Sequence, residues 1–176
     1  MVRHTSVSVP PGTCYGRTDV GLAPSFRREA AEVAERLPVG PFDAVFTSPL
    51  ERCVRLAGLC GHSDAVRDGR LAEMDFGEWE MRRWETIDDP RLQAWFDDWA
   101  HAGTPGGESF GTMYARVASL LDERQAAGER RLLLFTHGGV IACARVYAGL
   151  VPVEKAFSPP VPYGGIVTVR IPSPDR

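Results

Sequence analysis

Apolar residues recur at helical spacing in three parts of this chain. Spacings of three and four residues place them on one side of a helix, and such a side packs against a core. Three amphipathic helices are therefore predicted, with apolar positions Phe26, Ala30, Val33, Ala34 and Leu37; Leu92, Trp95, Phe96 and Trp99, after Pro90; and Phe110, Met113, Tyr114, Val117, Leu120 and Leu121. Residues 164–171 alternate with a period of two and are predicted to form the last strand, and residues 172–176 a tail.

A second pattern joins strands to helices. An apolar, strand-like run breaks into a turn of small residues and then into a helical pattern around residues 2–7, at 43–60 and at 131–150. This repetition is typical of parallel α/β architecture. At the second junction Ser48 suits a helix N-cap and Pro49 the first helical position, where its missing N–H costs nothing, so we expect a helix from about 49 to 59.

Composition limits the class of protein. With 176 residues, 44% of them hydrophobic, the chain is expected to form a single domain over residues 1–176. A net charge of -3 gives no overall basic field, which argues against nucleic acid or an anionic membrane as a partner. The sequence shows neither a secretion signal nor a run of 18 apolar residues. The four cysteines form no C-x-x-C pair and no metal-type cluster with histidine. We therefore expect a cytoplasmic protein with reduced thiols and without a metal; its oligomeric state stays open.

Basic residues and histidines stand where the predicted strands end. Arg3 and His4 end the first strand-like run, and His137 ends the third. Arg52 lies one turn inside the helix predicted after the second run. In an open α/β sheet ligands bind at this edge, where helix N-termini present free N–H groups to anions. Any one of these residues could be an ordinary surface arginine or hydrogen-bonded histidine, but their convergence predicts a pocket for a dianionic phosphate.

A phosphate pocket that does chemistry also needs an acid to protonate a leaving oxygen. The stretch 70–80 offers four carboxylates, namely Glu73, Asp75, Glu78 and Glu80. Any one of them taken alone is expected to face solvent, because carboxylates are rarely buried. Spacing by itself does not choose among them.

Five short segments carry a resemblance to a known family: RHT (3–5), TSPLERC (47–53), LAEMDFGEWE (71–80), GGES (106–109) and THGGV (136–140). In this order and at these separations they resemble the histidine phosphatase superfamily, also called the phosphoglycerate mutase-like family. The resemblance spans essentially the whole chain and implies a three-layer α/β/α sandwich with a mostly parallel central sheet. More narrowly, RHTSVSVPPGTCYGRTDVGL and VPYGGIV are similar to α-ribazole phosphatases, which act late in cobalamin biosynthesis.

The resemblance implies a role for each candidate residue. His4 matches the nucleophile that forms a phosphohistidine, a role that requires a neutral imidazole. Arg3, Arg52 and His137 match the groups around the transferred phosphoryl, where positive donors stabilise charge on its oxygens. Glu73 matches the proton donor, and the same carboxylate would then activate water. The implied substrate is a small-molecule phosphate ester, and no cofactor or metal is implied.

The chain departs from the family pattern near its start. Thr5 stands where the family usually has glycine, although threonine is familiar in the α-ribazole branch, and Pro10 replaces a polar residue. Hydrogen bonding in this part of the pocket is therefore open. Relatives enter the Arg-His pair through a central strand of several apolar residues, whereas only Met1 and Val2 precede it here. We expect either a start assigned too late or trimmed, or a shortened first strand that costs several kcal/mol of burial, at roughly 1.5 to 3 kcal/mol per large aliphatic side chain.

Other functions remain as alternatives. Residues 107–111, GESFG, fit the nucleophile elbow of serine hydrolases, with Asp122 and His137 following in order, but no strand-like run precedes Ser109, which is better interpreted as a helix N-cap. A non-catalytic phosphate-binding module, a phosphomutase and a broad-specificity phosphatase also stay open.

All four tryptophans fall within 21 residues, at Trp79, Trp84, Trp95 and Trp99. Such a group usually packs in a core because each indole buries a large apolar area. The alternative hypothesis is an aromatic wall above the phosphate pocket, suited to a planar benzimidazole base.

Overall fold

The computed structural model describes residues 1–171, so the predicted tail, 172–176, lies outside the described residues. Within the described part the chain forms four strands and five α-helices. In chain order they are β1 (Val2–Arg3), α1 (Phe26–Arg36), β2 (Ala44–Thr47), α2 (Glu51–Leu59), β3 (Val66–Arg67), α3 (Arg91–Asp97), α4 (Phe110–Ala126), β4 (Leu132–Thr136) and α5 (Gly138–Tyr147). Short 3₁₀ turns lie at Gly69–Leu71, Gly77–Trp79, Trp84–Thr86 and Val153–Lys155.

Across residues 1–171 the strands pair in the order β1-β4-β2-β3, and every pair in this ladder is parallel. The strand β4 lies between β1 and β2, with Arg3 opposite Thr136 and Thr47 opposite Phe135. Parallel strands that share a register end together, so the residues after β1, β2 and β4 meet at one edge.

Alternate side chains of β4 define the layers. Leu133 and Phe135 pack in one apolar cluster with α1 and α2, whereas Leu134 packs in another with α4 and α5. Successive strand residues point to opposite faces, so helices cover both faces of the sheet. The predicted α/β sandwich is confirmed.

Two predicted helices agree closely with the structure. α1 and α4 bury the apolar positions assigned to them, apart from Ala34, Leu37 and Tyr114, which are half-buried. Ser109 caps α4, since its hydroxyl accepts a hydrogen bond from the N–H of Thr112 at 3.1 Å. This position also removes the serine-hydrolase elbow, because the element before Ser109 is the helix α3 and no strand leads directly into this serine in the described chain.

The predicted start of the helix at 49 is wrong. α2 begins at Glu51 with Leu50 at the N-cap, two residues later than expected. Ser48 still belongs to the sheet edge, because its N–H donates to the carbonyl of Phe135 at 2.9 Å. Its hydroxyl lies 2.7 Å from Nε2 of His137 and also accepts from the N–H of Leu50 at 3.3 Å, so Ser48 contacts both the histidine and the N-cap residue of α2.

Three further predictions need correction. The first strand is followed by residues 4–25 before α1 and not by a short turn. The helix after Pro90 ends at Asp97, so Trp99 lies beyond it and packs on Phe110 with ring centroids 5.0 Å apart. Residues 164–171 do not form a regular strand: residues 164–167 bind residues 1–4 through antiparallel backbone hydrogen bonds, with one bridge, Ile166 to Val2, and the described pairing ends at Val167.

Among the described residues, no helix combines the length and the apolar character that crossing a membrane requires. All four cysteines carry free thiols, three of them buried.

Candidate active site

The register of the parallel strands brings two histidines together. His4 follows β1 and His137 follows β4, and the N–H of His4 donates to the carbonyl of Thr136 at 2.9 Å. Their ring centroids lie 5.1 Å apart, and both side chains are buried. Neighbouring strand ends in register therefore produce a histidine pair from residues 133 positions apart in sequence.

The orientation of His4 leaves one ring nitrogen available. Its Nδ1 lies 2.8 Å from the backbone carbonyl of Thr5, an acceptor, so Nδ1 carries the proton and Nε2 the lone pair. Burial lowers the pKa of His4 to about 3, and the positive charges of Arg52 and Arg3 act in the same direction, although the hydrogen bond to Thr5 opposes them. His4 is therefore neutral at physiological pH, as a nucleophile must be.

His137 has the opposite arrangement. Nε of Arg52 donates to its Nδ1 at 3.3 Å, so the proton lies on Nε2, which donates to the hydroxyl of Ser48 at 2.7 Å. Burial is the largest cause that lowers the pKa of His137 well below its ordinary value, and the nearby His4 and Arg52 lower it further. Arg52 thus fixes the tautomer of His137, and Ser48 accepts the remaining N–H.

Arg52 is a fully buried cation held mainly by backbone carbonyls. Its guanidinium donates to the carbonyls of Gly16 at 2.6 Å and Thr18 at 3.0 Å. The nearest carboxylate oxygen, on the half-exposed Asp19, lies 4.0 Å away. A buried charge without a close counter-ion is costly, so this site is suited to an anion.

Two further polar atoms beside His4 lack partners. Nε of Arg3 and Oγ1 of Thr5 are buried and make no hydrogen bond with any described residue. Nη1 of Arg3 donates to the carbonyl of Val161, and the Cζ atom of its guanidinium lies 4.3 Å from the Tyr163 ring centroid. Buried polar groups are normally satisfied, so these two atoms are available to a ligand.

A cleft of about 260 Å³ opens beside this cluster. Arg3 and Glu73 line it together with the aromatic side chains of Tyr15, Trp84, Phe157 and Tyr163. Tyr163 also contacts His4, with ring centroids 5.4 Å apart, and its hydroxyl lies 2.6 Å from that of Tyr15. Tyr163 thus contacts the buried histidine and lines the cleft.

Glu73 follows the 3₁₀ turn Gly69–Leu71, and its side chain lies in the cleft beside the first turn of α5. Its Oε2 accepts from the N–H of Gly139 at 3.1 Å and its Oε1 from that of Met74 at 3.0 Å. A Cβ at position 139 would overlap Oε1 of Glu73, which explains the second glycine of the turn after His137.

The other three carboxylates of the 70–80 stretch have different partners. Asp75 accepts from the N–H of Gly77 at 2.9 Å, and Glu78 pairs with Arg91 at 3.1 Å on the surface. Glu80 accepts from the backbone N–H groups of Phe76, Arg17 and Thr18, and so holds the loop whose carbonyls bind Arg52. Glu73 is the one of the four that lines the described cleft.

The structure therefore brings Arg3, His4, Arg52 and His137 into one buried cluster and places Glu73 at the adjoining cleft; their catalytic roles stay predictions. Sequence reasoning missed Ser48 as a partner of His137, and gave no role to Tyr15 and Tyr163. The segments CYGRTDV and VPYGGIV contain both tyrosines, so the similarity to α-ribazole phosphatases was the one signal for them.

Comparison with known proteins gives a consistent result. The profile of the histidine phosphatase superfamily (branch 1) matches residues 1–174. An adenosylcobalamin/alpha-ribazole phosphatase from Salmonella typhimurium is 30% identical over 156 residues, which cover 81% of this chain and 74% of the relative. Phosphoserine phosphatase 1 from Hydrogenobacter thermophilus is 24% identical, with 88% and 76% covered. A crystal structure from Escherichia coli, proposed to be an alpha-ribazole-5'-P phosphatase, superposes with a TM-score of 0.80 at 28% identity, covering 93% of this chain and 84% of that one.

Proposed function

Because this chain belongs to the histidine phosphatase superfamily, we propose that it hydrolyses phosphomonoesters through a phosphohistidine formed at His4. The observation that carries the proposal is the state of His4, a neutral imidazole with its lone pair on Nε2. Beside it lie a fully buried arginine and two buried donors without partners among the described residues. A dianionic phosphate would satisfy all three.

The proposed reaction has two steps. In the first, Nε2 of His4 attacks phosphorus, the bond to the ester oxygen breaks, and Glu73 gives its proton to that oxygen, so an alcohol leaves. In the second, the Glu73 carboxylate takes a proton from water as the water oxygen attacks phosphorus. The P–N bond then breaks, and inorganic phosphate leaves with His4 neutral again.

Arg3, Arg52 and His137 supply the electrostatic part. Charge spreads over the equatorial oxygens of the phosphoryl group in the transition state, and fixed donors there lower the barrier. The two arginines carry permanent charge, and Nε2–H of His137 could turn from Ser48 to a phosphoryl oxygen. Bonds to backbone carbonyls hold Arg3 and Arg52 in place before the substrate arrives.

Trapping of the intermediate tests the mechanism. Rapid acid-free quench of the wild type with a labelled phosphomonoester should yield an acid-labile phosphoprotein, and His4→Ala should yield none and turn over near background. Wild-type turnover by folded His4→Ala would end the mechanism. Tight phosphate binding by a wild type without turnover would favour the alternative of a non-catalytic phosphate-binding module.

We further propose α-ribazole 5'-phosphate, or the corresponding phosphorylated cobalamin, as the ester cleaved. The name of the Salmonella relative and the similarity of CYGRTDV and VPYGGIV support it. So do the aromatic side chains of the cleft, since Trp84 and Phe157 offer flat apolar surface to a planar base. An apolar wall discriminates by only a few kcal/mol, so we expect side activity on simple phosphomonoesters.

A substrate panel tests the specificity. kcat/KM should be at least roughly tenfold higher for α-ribazole 5'-phosphate than for phosphoserine, 3-phosphoglycerate, fructose 2,6-bisphosphate, a nucleoside 5'-monophosphate or a phosphohistidine peptide. Tenfold corresponds to about 1.4 kcal/mol of transition-state discrimination. Equal values across the panel would favour a broad-specificity phosphatase, and phosphoryl transfer between hydroxyls without release of phosphate would favour a phosphomutase.

A further inference from the structure

One buried ion pair near the cleft has no part in the proposed reaction. Arg116, on α4, and Glu108, two residues before α4 begins, form a two-pronged pair, with Nε to Oε1 at 2.8 Å and Nη2 to Oε2 at 2.9 Å. Their side chains are only 14% and 12% exposed. Glu108 belongs to the GGES segment that carried the family resemblance without any role.

The guanidinium of Arg116 uses all five of its donors. The remaining three bind backbone carbonyls, of Arg70 and Ala72 at 2.7 Å each and of Glu73 at 3.1 Å. Three carbonyls within four residues, the last of them that of Glu73 itself, are thus held by one side chain. Lysine has three donors and no planar fork, so it cannot replace this set.

Glu108 holds the same segment from the other side. Its Oε2 accepts from the N–H of Asp75 at 3.0 Å, and its own N–H donates to the carbonyl of Asp75 at 2.8 Å. Burial by itself raises the pKa of Glu108, but the bonds from Arg116 and from the Asp75 N–H outweigh it and keep the pKa below its ordinary value. The pair is therefore charged at neutral pH.

We propose that the Arg116–Glu108 pair positions Glu73 for proton transfer to the leaving group. The pair fixes the backbone on both sides of Glu73, and the N–H of Gly139 orients the carboxylate from α5. A shift of one ångström at a reacting group can cost a large factor in rate. This inference rests on the proposed role of Glu73.

The test compares two leaving groups. An alkyl phosphate needs a proton on the departing oxygen, whereas p-nitrophenyl phosphate does not, and kcat/KM covers only the steps through phosphoenzyme formation. Glu73→Gln should lower kcat/KM for the alkyl ester on the order of 10²- to 10⁴-fold and much less for the aryl ester. Arg116→Lys should lower the alkyl value roughly tenfold or more, again with little loss on the aryl ester.

A double variant separates positioning from general structure. If Arg116 acts through Glu73, then Glu73→Gln/Arg116→Lys should be no slower on the alkyl ester than Glu73→Gln alone, within about twofold. Glu108→Gln, which keeps the shape of the side chain, should show the same leaving-group selectivity as Arg116→Lys. Arg124→Lys is the matched control, since Arg124 lies on the same helix and pairs with Glu129.

Each outcome decides the matter. The inference would be overturned if Arg116→Lys showed no loss, an equal loss on both esters, or a loss that multiplies with that of Glu73→Gln. It would also be overturned if Arg124→Lys showed the same leaving-group selectivity. Thermal denaturation identifies any variant that fails to fold, and Glu108→Gln then carries the test. If Glu73→Gln itself lowers both esters equally, the assignment of the acid fails; if it is selective and Arg116→Lys is not, only the positioning role fails.

Discussion

Among single residues, Glu73 is the one to which the proposed mechanism assigns proton transfer at the cleft. It lines the cleft and accepts two backbone hydrogen bonds, which fix the orientation of its carboxylate there. The neighbouring acids, Asp75, Glu78 and Glu80, are bound to other groups. Choosing among the four thus depends on what each side chain contacts.

We predict that Glu73→Gln loses on the order of 10²- to 10⁴-fold in kcat/KM with alkyl phosphates, because an amide cannot donate the proton. Steady-state kinetics with a series of leaving groups should show the loss shrinking as the leaving group becomes more acidic. Glu78→Gln is the control and should behave as wild type. The same loss with every leaving group would point to Asp75 or Glu78 as the acid.

At the scale of elements, the 79–99 segment combines both interpretations of its tryptophans. Trp79 is fully buried and donates to Asp89 at 2.9 Å, as a core residue does. Trp84 lines the cleft, and Trp95 stacks on it with centroids 5.9 Å apart and planes at 14°. Trp79 is therefore part of the core, Trp84 lines the cleft, and Trp95 packs against Trp84.

We predict that Trp84→Ala lowers the preference for α-ribazole 5'-phosphate over a small phosphate ester, because the planar base loses its stacking surface. The loss should be roughly 2- to 10-fold, the value of one aromatic contact of about 0.5–1.5 kcal/mol. Trp95→Ala should change this preference less. An unchanged ratio of kcat/KM values in Trp84→Ala would contradict the role of the wall.

For the whole molecule, burial of the histidine pair links stability to pH. The pKa of His4 falls from 6.5 to about 3 on folding, so between these values the unfolded chain binds a proton that the folded chain does not. The contribution of His4 to the free energy of unfolding is therefore fully present above pH 6.5 and is lost as pH falls toward 3. His137, whose pKa is also lowered by burial, acts in the same direction.

We predict that His4→Gln flattens this dependence. Between pH 7 and pH 5 the wild type should lose about 2 kcal/mol through His4 alone, a loss absent from the variant. Urea denaturation at both pH values measures it. His101→Gln is the control, because the side chain of His101 is 82% exposed. A variant as sensitive to pH as the wild type would contradict the lowered pKa.

Activity should not depend on a metal. In the proposed mechanism Arg3 and Arg52 would supply the positive charge, and the neutral His137 an N–H donor, that a metal would otherwise provide to the phosphoryl oxygens. We predict that kcat/KM is unchanged after dialysis against EDTA. A large loss that added divalent cation restores would contradict this assignment of the charge.

The sequence by itself determined the parallel α/β class, two of the helices and the basic residues at the strand ends. Local periodicity carries that information, since the periods of 3.6 and 2 reflect which face of an element is buried. The family resemblance added the expected role of Glu73.

Only the tertiary structure decided which neighbours each of these residues has. Ser48 is predicted to cap a helix that starts at 49, but the helix starts at Glu51, and the Ser48 hydroxyl contacts His137 as well as the N–H of Leu50, because the parallel register extends the sheet by one residue past β2. The segment 164–171 is predicted to be a strand, but its described pairing with residues 1–4 ends at Val167. Arg116 gives no signal in a chain rich in arginine, and its role emerges only where three carbonyls meet its guanidinium. Such contacts join residues far apart in sequence, and no local pattern encodes them.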